Sequence, residues 1–261
     1  MLKSKIRYTF QFIKYLCVSK PKGGFGIHSP FVFYLITQII EEKKPYYCYH
    51  KIERLRNELK KDQNSIFVAD FGTGKSSQRK IATIAKRSLK PRKYAQLLFR
   101  LTVHSHPRNI LELGTSLGIT TAYLASANSK ATVYTIEGSG EIANIAKQNF
   151  RRINIKNIQL FEGQISSQLP NVLNQMDSLD LVFFDANHKG IPTLLYFNMC
   201  LEKINSQTIF IFDDIYWSKE MTNAWQEIYM HPKVSISIDL FSIGIVFFNP
   251  DLKKEHYIVK F

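Results

Sequence analysis

Residues 109–125 read NILELGTSLGITTAYLA, and their pattern settles the fold class. An apolar run of strand length breaks at Gly114, and helical spacing starts near Gly118. Glycine at 114 lets the backbone turn tightly with no side chain in the way. Glycine at 118 permits close approach to the free amides of a helix N-terminus, which favour an anionic group. Working outward, strands are predicted at 109–114, 131–137, 157–161, 180–185 and 207–213, alternating with amphipathic helices. Such alternation belongs to an α/β, doubly wound, mostly parallel sheet. The end differs, because VSISIDLF and GIVFF are separated only by Ser242 and Ile243, too few residues for a crossover helix. They form an antiparallel hairpin, which brings the sheet to seven strands.

Upstream of residue 108 the patterns are helical. One helix is predicted from Pro30 to about Glu42, with Ser29 as its N-cap and Pro30 in its first turn. Others cover about 49–61, 78–88 and 91–105, the last with Tyr94, Leu97, Leu98 and Leu101 on one face. The chain therefore divides into a helical extension over residues 1–90 and a cofactor-binding domain over 91–261.

Charge follows the same division. The 35 Lys and Arg against 21 Asp and Glu leave +14, but residues 1–108 hold 23 basic and 6 acidic side chains while 109–261 hold 12 and 15. The excess thus concerns an anionic acceptor or surface and not the cofactor. An apolar content of 45% with 21% charged residues excludes a disordered or collagen-like chain. Cys17, Cys48 and Cys200 share no metal-ligand or redox spacing, which fits buried thiols in a reducing compartment. Gln11 and Lys14 interrupt what would be the apolar core of a signal peptide, and no apolar run reaches the roughly 18 residues of a membrane span. A cytoplasmic location is expected.

Leu2, Ile6, Phe10, Ile13 and Cys17 recur at helical spacing beside Lys3, Lys5, Arg7 and Lys14. The expected arrangement is a surface helix docked on its own protein, since such stripes are common. The alternative is peripheral contact of residues 1–20 with an anionic membrane, at its inner face.

Two glycine-rich segments compete as nucleotide loops. ADFGTGKSS, residues 69–77, ends like a P-loop, but Ala69 stands where the leading glycine belongs, and no Mg-binding carboxylate strand is evident. It reads as a flexible loop against the active edge of the sheet. The segment at Gly114 is followed by an acid at the end of the second strand, Glu137 in VYTIEGSG, 23 residues on. A carboxylate there accepts hydrogen bonds from ribose hydroxyls, so the arrangement points to an adenosine-containing cofactor. A nicotinamide dehydrogenase would prefer glycine where Ser116 stands and would need a catalytic domain that the terminal hairpin leaves no room for.

Glu112, Gly114 and Gly118 in ELGTSLG, Glu137, the turn at Glu162, Gly163 and Gln164, the strand end LVFFDANH, and IFIFDDIYW together resemble class I S-adenosylmethionine-dependent methyltransferases, in particular the catechol and caffeoyl-CoA O-methyltransferase group. The resemblance covers about residues 91–250. A further likeness, to bacterial methyltransferases with a His-Ser-Pro-Phe segment, rests on His28 to Phe31. The resemblance implies a strand order of 3-2-1-4-5-7-6, with the N-terminal helices as a substrate cover. It implies that Glu112 and the backbone from Gly114 through Thr115 and Ser116 to Gly118 hold the methionine end of S-adenosylmethionine. Glu137 would bind ribose, Gly163, Gln164 and Ile165 would flank adenine, and Asp185 would serve cofactor and chemistry alike. The family often has a small polar residue where Ile165 stands.

Chemistry is expected at the carboxyl ends of the fourth and fifth strands. Metal-dependent members of the group carry Asp, Asp and Asn where this chain has Asp185, Asp213 and Asp214, and three carboxylates suit Mg²⁺ or Mn²⁺. Where those enzymes place a lysine base, this chain has His188, with Lys189 next to it, and histidine is a competent base near neutrality. Metal-assisted and His188-assisted proton removal both stay open. Asp213 and Asp214 could alternatively cap the next helix, although Ser218 already fits that role. Trp217, Tyr46, Tyr47 and Tyr49 are acceptor-pocket candidates for which packing is the commoner use.

The expected activity is methylation of a small-molecule hydroxyl, with an anionic acceptor suggested by the charge. An RNA methyltransferase using the basic extension is the alternative, but DANH is not the Asn/Asp-Pro-Pro-aromatic pattern of base N-methylation. A non-catalytic binding protein is a third reading, opposed by intact acids at every expected position. Nothing in the sequence fixes the oligomeric state, and an oligomer is compatible with it.

Overall fold

The computed structural model describes residues 2–68 and 76–261, so residues 69–75, the centre of the ADFGTGKSS reading, lie outside the described residues. In chain order the elements begin with α1 (Leu2–Val18), α2 (Pro30–Tyr34, continued by a π-helical turn Leu35–Ile40), α3 (Tyr47–Leu59), β1 (Ser65–Val68), β2 (Ser77–Lys80), α4 (Ile81–Ser88) and α5 (Arg92–Ser105). Next come β3 (Asn109–Leu113), α6 (Ile119–Ala127), β4 (Thr132–Glu137), α7 (Gly140–Arg152), β5 (Ile158–Glu162) and α8 (Ile165–Leu173). The last elements are β6 (Leu179–Phe184), α9 (Gly190–Cys200), β7 (Ile204–Asp213), α10 (Lys219–Met230), β8 (Ile236–Asp239), β9 (Ile243–Phe247) and β10 (Glu255–Ile258).

The sheet order is β10-β8-β9-β7-β6-β3-β4-β5. The seven expected strands keep the order 3-2-1-4-5-7-6, and β10 corrects the count to eight by pairing in parallel with β8. The fold is a Rossmann-like, mostly parallel α/β sheet with antiparallel pairing only around β9. By packing, the chain forms two units, Lys44–Asp177 and Met1–Lys43 with Ser178–Phe261, a cut different from the compositional one at residue 90.

In the unit Lys44–Asp177, β3, β4 and β5 pair in parallel. Ile110, Leu111 and Leu113 of β3 are fully buried, the burial on both faces that a central parallel strand requires. Each such side chain is worth about 1.5–3 kcal/mol on burial. Tyr46 and Tyr49 stack edge-on against Phe99, and Tyr49 also meets Tyr123, so two of the three proposed pocket tyrosines are packing residues. Tyr47 is exposed. The helix expected over 78–88 starts only at Ile81, because Ser77–Lys80 pairs antiparallel with Ser65–Val68. SQRK has no apolar period, so backbone pairing alone makes it a strand.

In the other unit, β6 and β7 pair in parallel, β8 and β9 form the expected antiparallel hairpin, and β9 pairs antiparallel with β7. Lys20 bridges Val259 beyond β10, donating to Ile258 O and accepting from Lys260 N, and so covers an otherwise open sheet edge. Helix α1 docks, but not through the stripe read from the sequence. Tyr8, Phe12 and Tyr15 pack around Phe241, and the Tyr15 hydroxyl donates to Val259 O at 2.5 Å. Ile6, Phe10, Ile13 and Cys17 lie on the opposite face and are exposed. The Ser29 cap is present, its hydroxyl accepting from Val32 N, while His28 is exposed. Among the described residues no helix is long and apolar enough to cross a membrane.

Candidate active site

In the unit Lys44–Asp177, the turn after β3 runs through Gly114 (φ 104°), Ser116 (φ 49°) and Gly118 (φ 81°), three left-handed residues within five. Gly114 N and Thr115 N both donate to Ile136 O, tying the turn to the end of β4. Glu137, the last residue of β4, accepts from Ser116 N at 2.8 Å through one oxygen and from Ser139 N at 3.0 Å through the other. Burial pushes its carboxyl upward, and the amides of Ser139, Ser116 and Gly138 oppose this. Gly163 (φ 128°) donates to Glu137 O, which brings the adenine-side turn against the same strand end. Gln164 caps α8 and Ile165 is buried.

Glu112 is fully buried. One oxygen accepts from Thr121 Oγ1 at 2.5 Å and Thr135 Oγ1 at 2.7 Å, and the Thr135 hydroxyl also meets Thr115 Oγ1 at 2.6 Å. Its second oxygen, Oε1, is buried without a partner among the described residues, as is Ser139 Oγ. Burial pushes Glu112 up to about 8, against the pull of the two threonine hydroxyls. Two orphaned polar atoms flanking a left-handed glycine turn fit a ligand with its own polar groups. The role of Gly118 differs from the one expected. A Cβ there would lie 2.5 Å from the Phe150 ring, so the close approach it permits is by α7.

In the other unit, Asp185 follows β6, and Asn187 (φ 62°) and His188 (φ 41°) form a left-handed turn before α9. Lys189 caps α9 and is exposed, its carbonyl accepting from Thr193 Oγ1. Asp185, His188 and Asp213 each offer a ligand atom, all within 4.8 Å of one another. His188 Nε2 is 3.9 Å from Asp185 Oδ1, and its Nδ1 is 3.7 Å from Asp214 Oδ2. The imidazole thus stands between carboxylates and takes the place in the candidate ligand trio that Asp214 was expected to fill. Neither Asp213 nor Asp214 is the cap of α10, because Ser218 Oγ accepts from Met221 N at 3.0 Å.

Three residues that sequence reasoning missed hold the segment after β7. Asp214 (φ 52°) donates its amide to Ser242 O and accepts from Trp217 N. Arg7 donates to the carbonyls of Tyr216 and Trp217 at 3.1 and 2.8 Å, and the Tyr216 hydroxyl donates to buried Asp239 at 2.5 Å. Trp217 itself is exposed. No motif marks Arg7, Tyr216 or Asp239, since their partners lie about 210 or 23 residues away.

Residues 111–215, which span both the glycine turn and the carboxylate cluster, match the methyltransferase domain family. That stretch is similar to a methyltransferase domain. Among curated proteins, the chain is 29% identical over 120 residues to O-methyltransferase hkm8 of Aspergillus hancockii, covering 45% of this chain and 46% of that protein. It is also 29% identical over 126 residues to a catechol O-methyltransferase of Niastella koreensis, covering 47% and 55%. The chain spans about half the length of the curated relatives it matches. The O-methyltransferase of Bacillus cereus, solved in complex with S-adenosylhomocysteine, shares the fold with a TM-score of 0.56 at 20% identity, covering 83% of this chain and 97% of that one. The matched residues fall within the longer region whose residues resembled that group.

Proposed function

We propose that the protein transfers a methyl group from S-adenosylmethionine to a hydroxyl of a small molecule. The observation that carries this reading is the Glu137 carboxylate, fixed by Ser116 and Ser139 amides beside a left-handed glycine turn within the methyltransferase-matched residues. Glu137 keeps lone pairs for two ribose hydroxyls. Glu112 Oε1 and the turn from Gly114 through Thr115 and Ser116 would take the polar methionine end, and Gly163 and Gln164 would border adenine. The sulfonium supplies an electrophilic methyl group, so the protein's work is to align the acceptor and remove its proton.

For that proton, His188 is the base, its imidazole standing 3.9 Å from Asp185 Oδ1 on one nitrogen and 3.7 Å from Asp214 Oδ2 on the other. The same residues fit a divalent ion: two carboxylates and an imidazole within 4.8 Å form a mixed oxygen and nitrogen donor set, closer to Mn²⁺ than to the all-oxygen preference of Mg²⁺. Such an ion would lower the pKa of the acceptor hydroxyl. Lys189, exposed at the α9 cap, would meet acceptor charge instead of acting as the base.

Incubation with methyl-labelled S-adenosylmethionine and fractionated cell extract tests the activity. Label is expected in small molecules as a methyl ether. Label confined to RNA or protein would contradict the reading.

A further inference from the structure

We infer that the outer face of α1 and the glycine loop following it dock on an anionic membrane surface. The docked face of the helix is fully accounted for by Tyr8, Phe12 and Tyr15 on Phe241. The opposite face presents Ile6, Phe10 and Ile13 at 62%, 68% and 53% exposure, one helical row of apolar side chains turned to solvent. Beyond the helix, Gly23, Gly24 and Gly26 all take positive φ (81°, 72° and 71°), and between them Phe25 is 78% exposed. A Cβ on Gly24 would lie 2.6 Å from the Phe33 ring, so the loop is built to this shape and holds a phenylalanine outward.

Charge selects the occupant. Residues 1–40 contain six Lys and Arg and no Asp or Glu. A second copy of the chain meeting this face about a two-fold axis would set the cations of α1 against each other, Glu41, which accepts from Gly23 N, being an acid that borders the loop and not the helix row. A nucleic acid would use the cations but leave the apolar row exposed. An interface of anionic headgroups over acyl chains satisfies both, with the exposed Lys14, Lys20 and Lys22 at headgroup level and Phe10, Ile13 and Phe25 beneath them. Arg7, on the docked side, ties this helix to the carbonyls of Tyr216 and Trp217, so a bound surface would lie on the same helix that braces the segment after Asp213 and Asp214.

The full chain is mixed with vesicles of phosphatidylcholine containing 30% phosphatidylglycerol, and with phosphatidylcholine alone, in about 0.1 M salt, and bound protein is read by sedimentation. Binding is expected only to the anionic vesicles, weakening several-fold at about 0.5 M salt. The Phe10→Gln/Ile13→Gln variant is expected to bind at least about tenfold more weakly, and Phe25→Ser several-fold more weakly. All three side chains are exposed, so thermal unfolding should match the parent and separate lost binding from lost folding. Absence of binding to anionic vesicles would overturn the inference, as would binding that survives in both variants. Light scattering that shows a dimer dissociated by the same substitutions would also overturn it, by assigning the row to a second copy.

Discussion

The glycine turn after β3 and the cluster after β6 and β7 handle acidic side chains in opposite ways. At the turn, Glu137 is fixed by backbone amides and Glu112 by threonine hydroxyls, so both carboxylates are set by the fold itself. In the cluster, Asp185 and Asp214 stand 3.9 and 3.7 Å from one imidazole, longer than hydrogen bonds, and Asp213 offers an oxygen within 4.8 Å of both Asp185 and that ring. The first is a rigid template for a cofactor of fixed shape. The second is an arrangement that a proton, an ion or an acceptor oxygen would tighten, as active-site contacts do when substrate arrives.

The largest effect that could break this contrast is on rate. His188→Ala is expected to lower turnover by about 10²–10⁴-fold while S-adenosylhomocysteine affinity, measured by calorimetry, stays within about threefold. If a chelator abolishes turnover and His188→Ala retains most of it, an ion that lowers the pKa of the hydroxyl, so that its proton passes to solvent, and not the imidazole, carries the step.

A mutation in the template should do the reverse, acting on binding or folding before chemistry. Gly118→Ala combines a strained left-handed φ with a contact 2.5 Å from Phe150, and is expected to cost about 2–4 kcal/mol in urea unfolding. A loss below about 0.5 kcal/mol would mean that α7 shifts freely, and that the turn is less rigid than described.

The third effect concerns pH. The carboxyl of Glu112 rises from 4.5 to about 8 on folding, so between those values the folded chain holds a proton that the unfolded chain has released. Stability should therefore fall as pH rises through that window, by at most about 1.4 kcal/mol per pH unit, and level off above it. Glu112→Gln should lack this component, so the difference in unfolding free energy, variant minus parent, should increase from pH 5 to pH 8. A constant difference would mean that Glu112 stays ionised in its threonine clamp.

Much of the template was legible in the sequence because its features are local. Strand, glycine, helix and acid follow one another within residues 109–137, and periodicity alone separates the apolar strands from the helices around them. The exceptions are polar strands. Ser77–Lys80 and Glu255–Ile258 exist through backbone pairing with Ser65–Val68 and β8, and pairing leaves no apolar period to read. Helix α1 shows another limit. Its apolar row was visible, but an aromatic row on the other side could dock equally well, and only the position of Phe241 decides between them. In the cluster, the residue types were legible and their partners were not, because the bonds from Arg7 and Tyr216 cross long stretches of chain.

The central claim is that the glycine turn and Glu137 are built for an adenosine-containing methyl donor. Calorimetric titration of the full chain with S-adenosylhomocysteine and, separately, with NAD tests it most directly. The account predicts micromolar binding of S-adenosylhomocysteine, its loss in Glu137→Ala, and no heat from NAD. Binding of NAD without S-adenosylhomocysteine, or S-adenosylhomocysteine binding unchanged in Glu137→Ala, would contradict it.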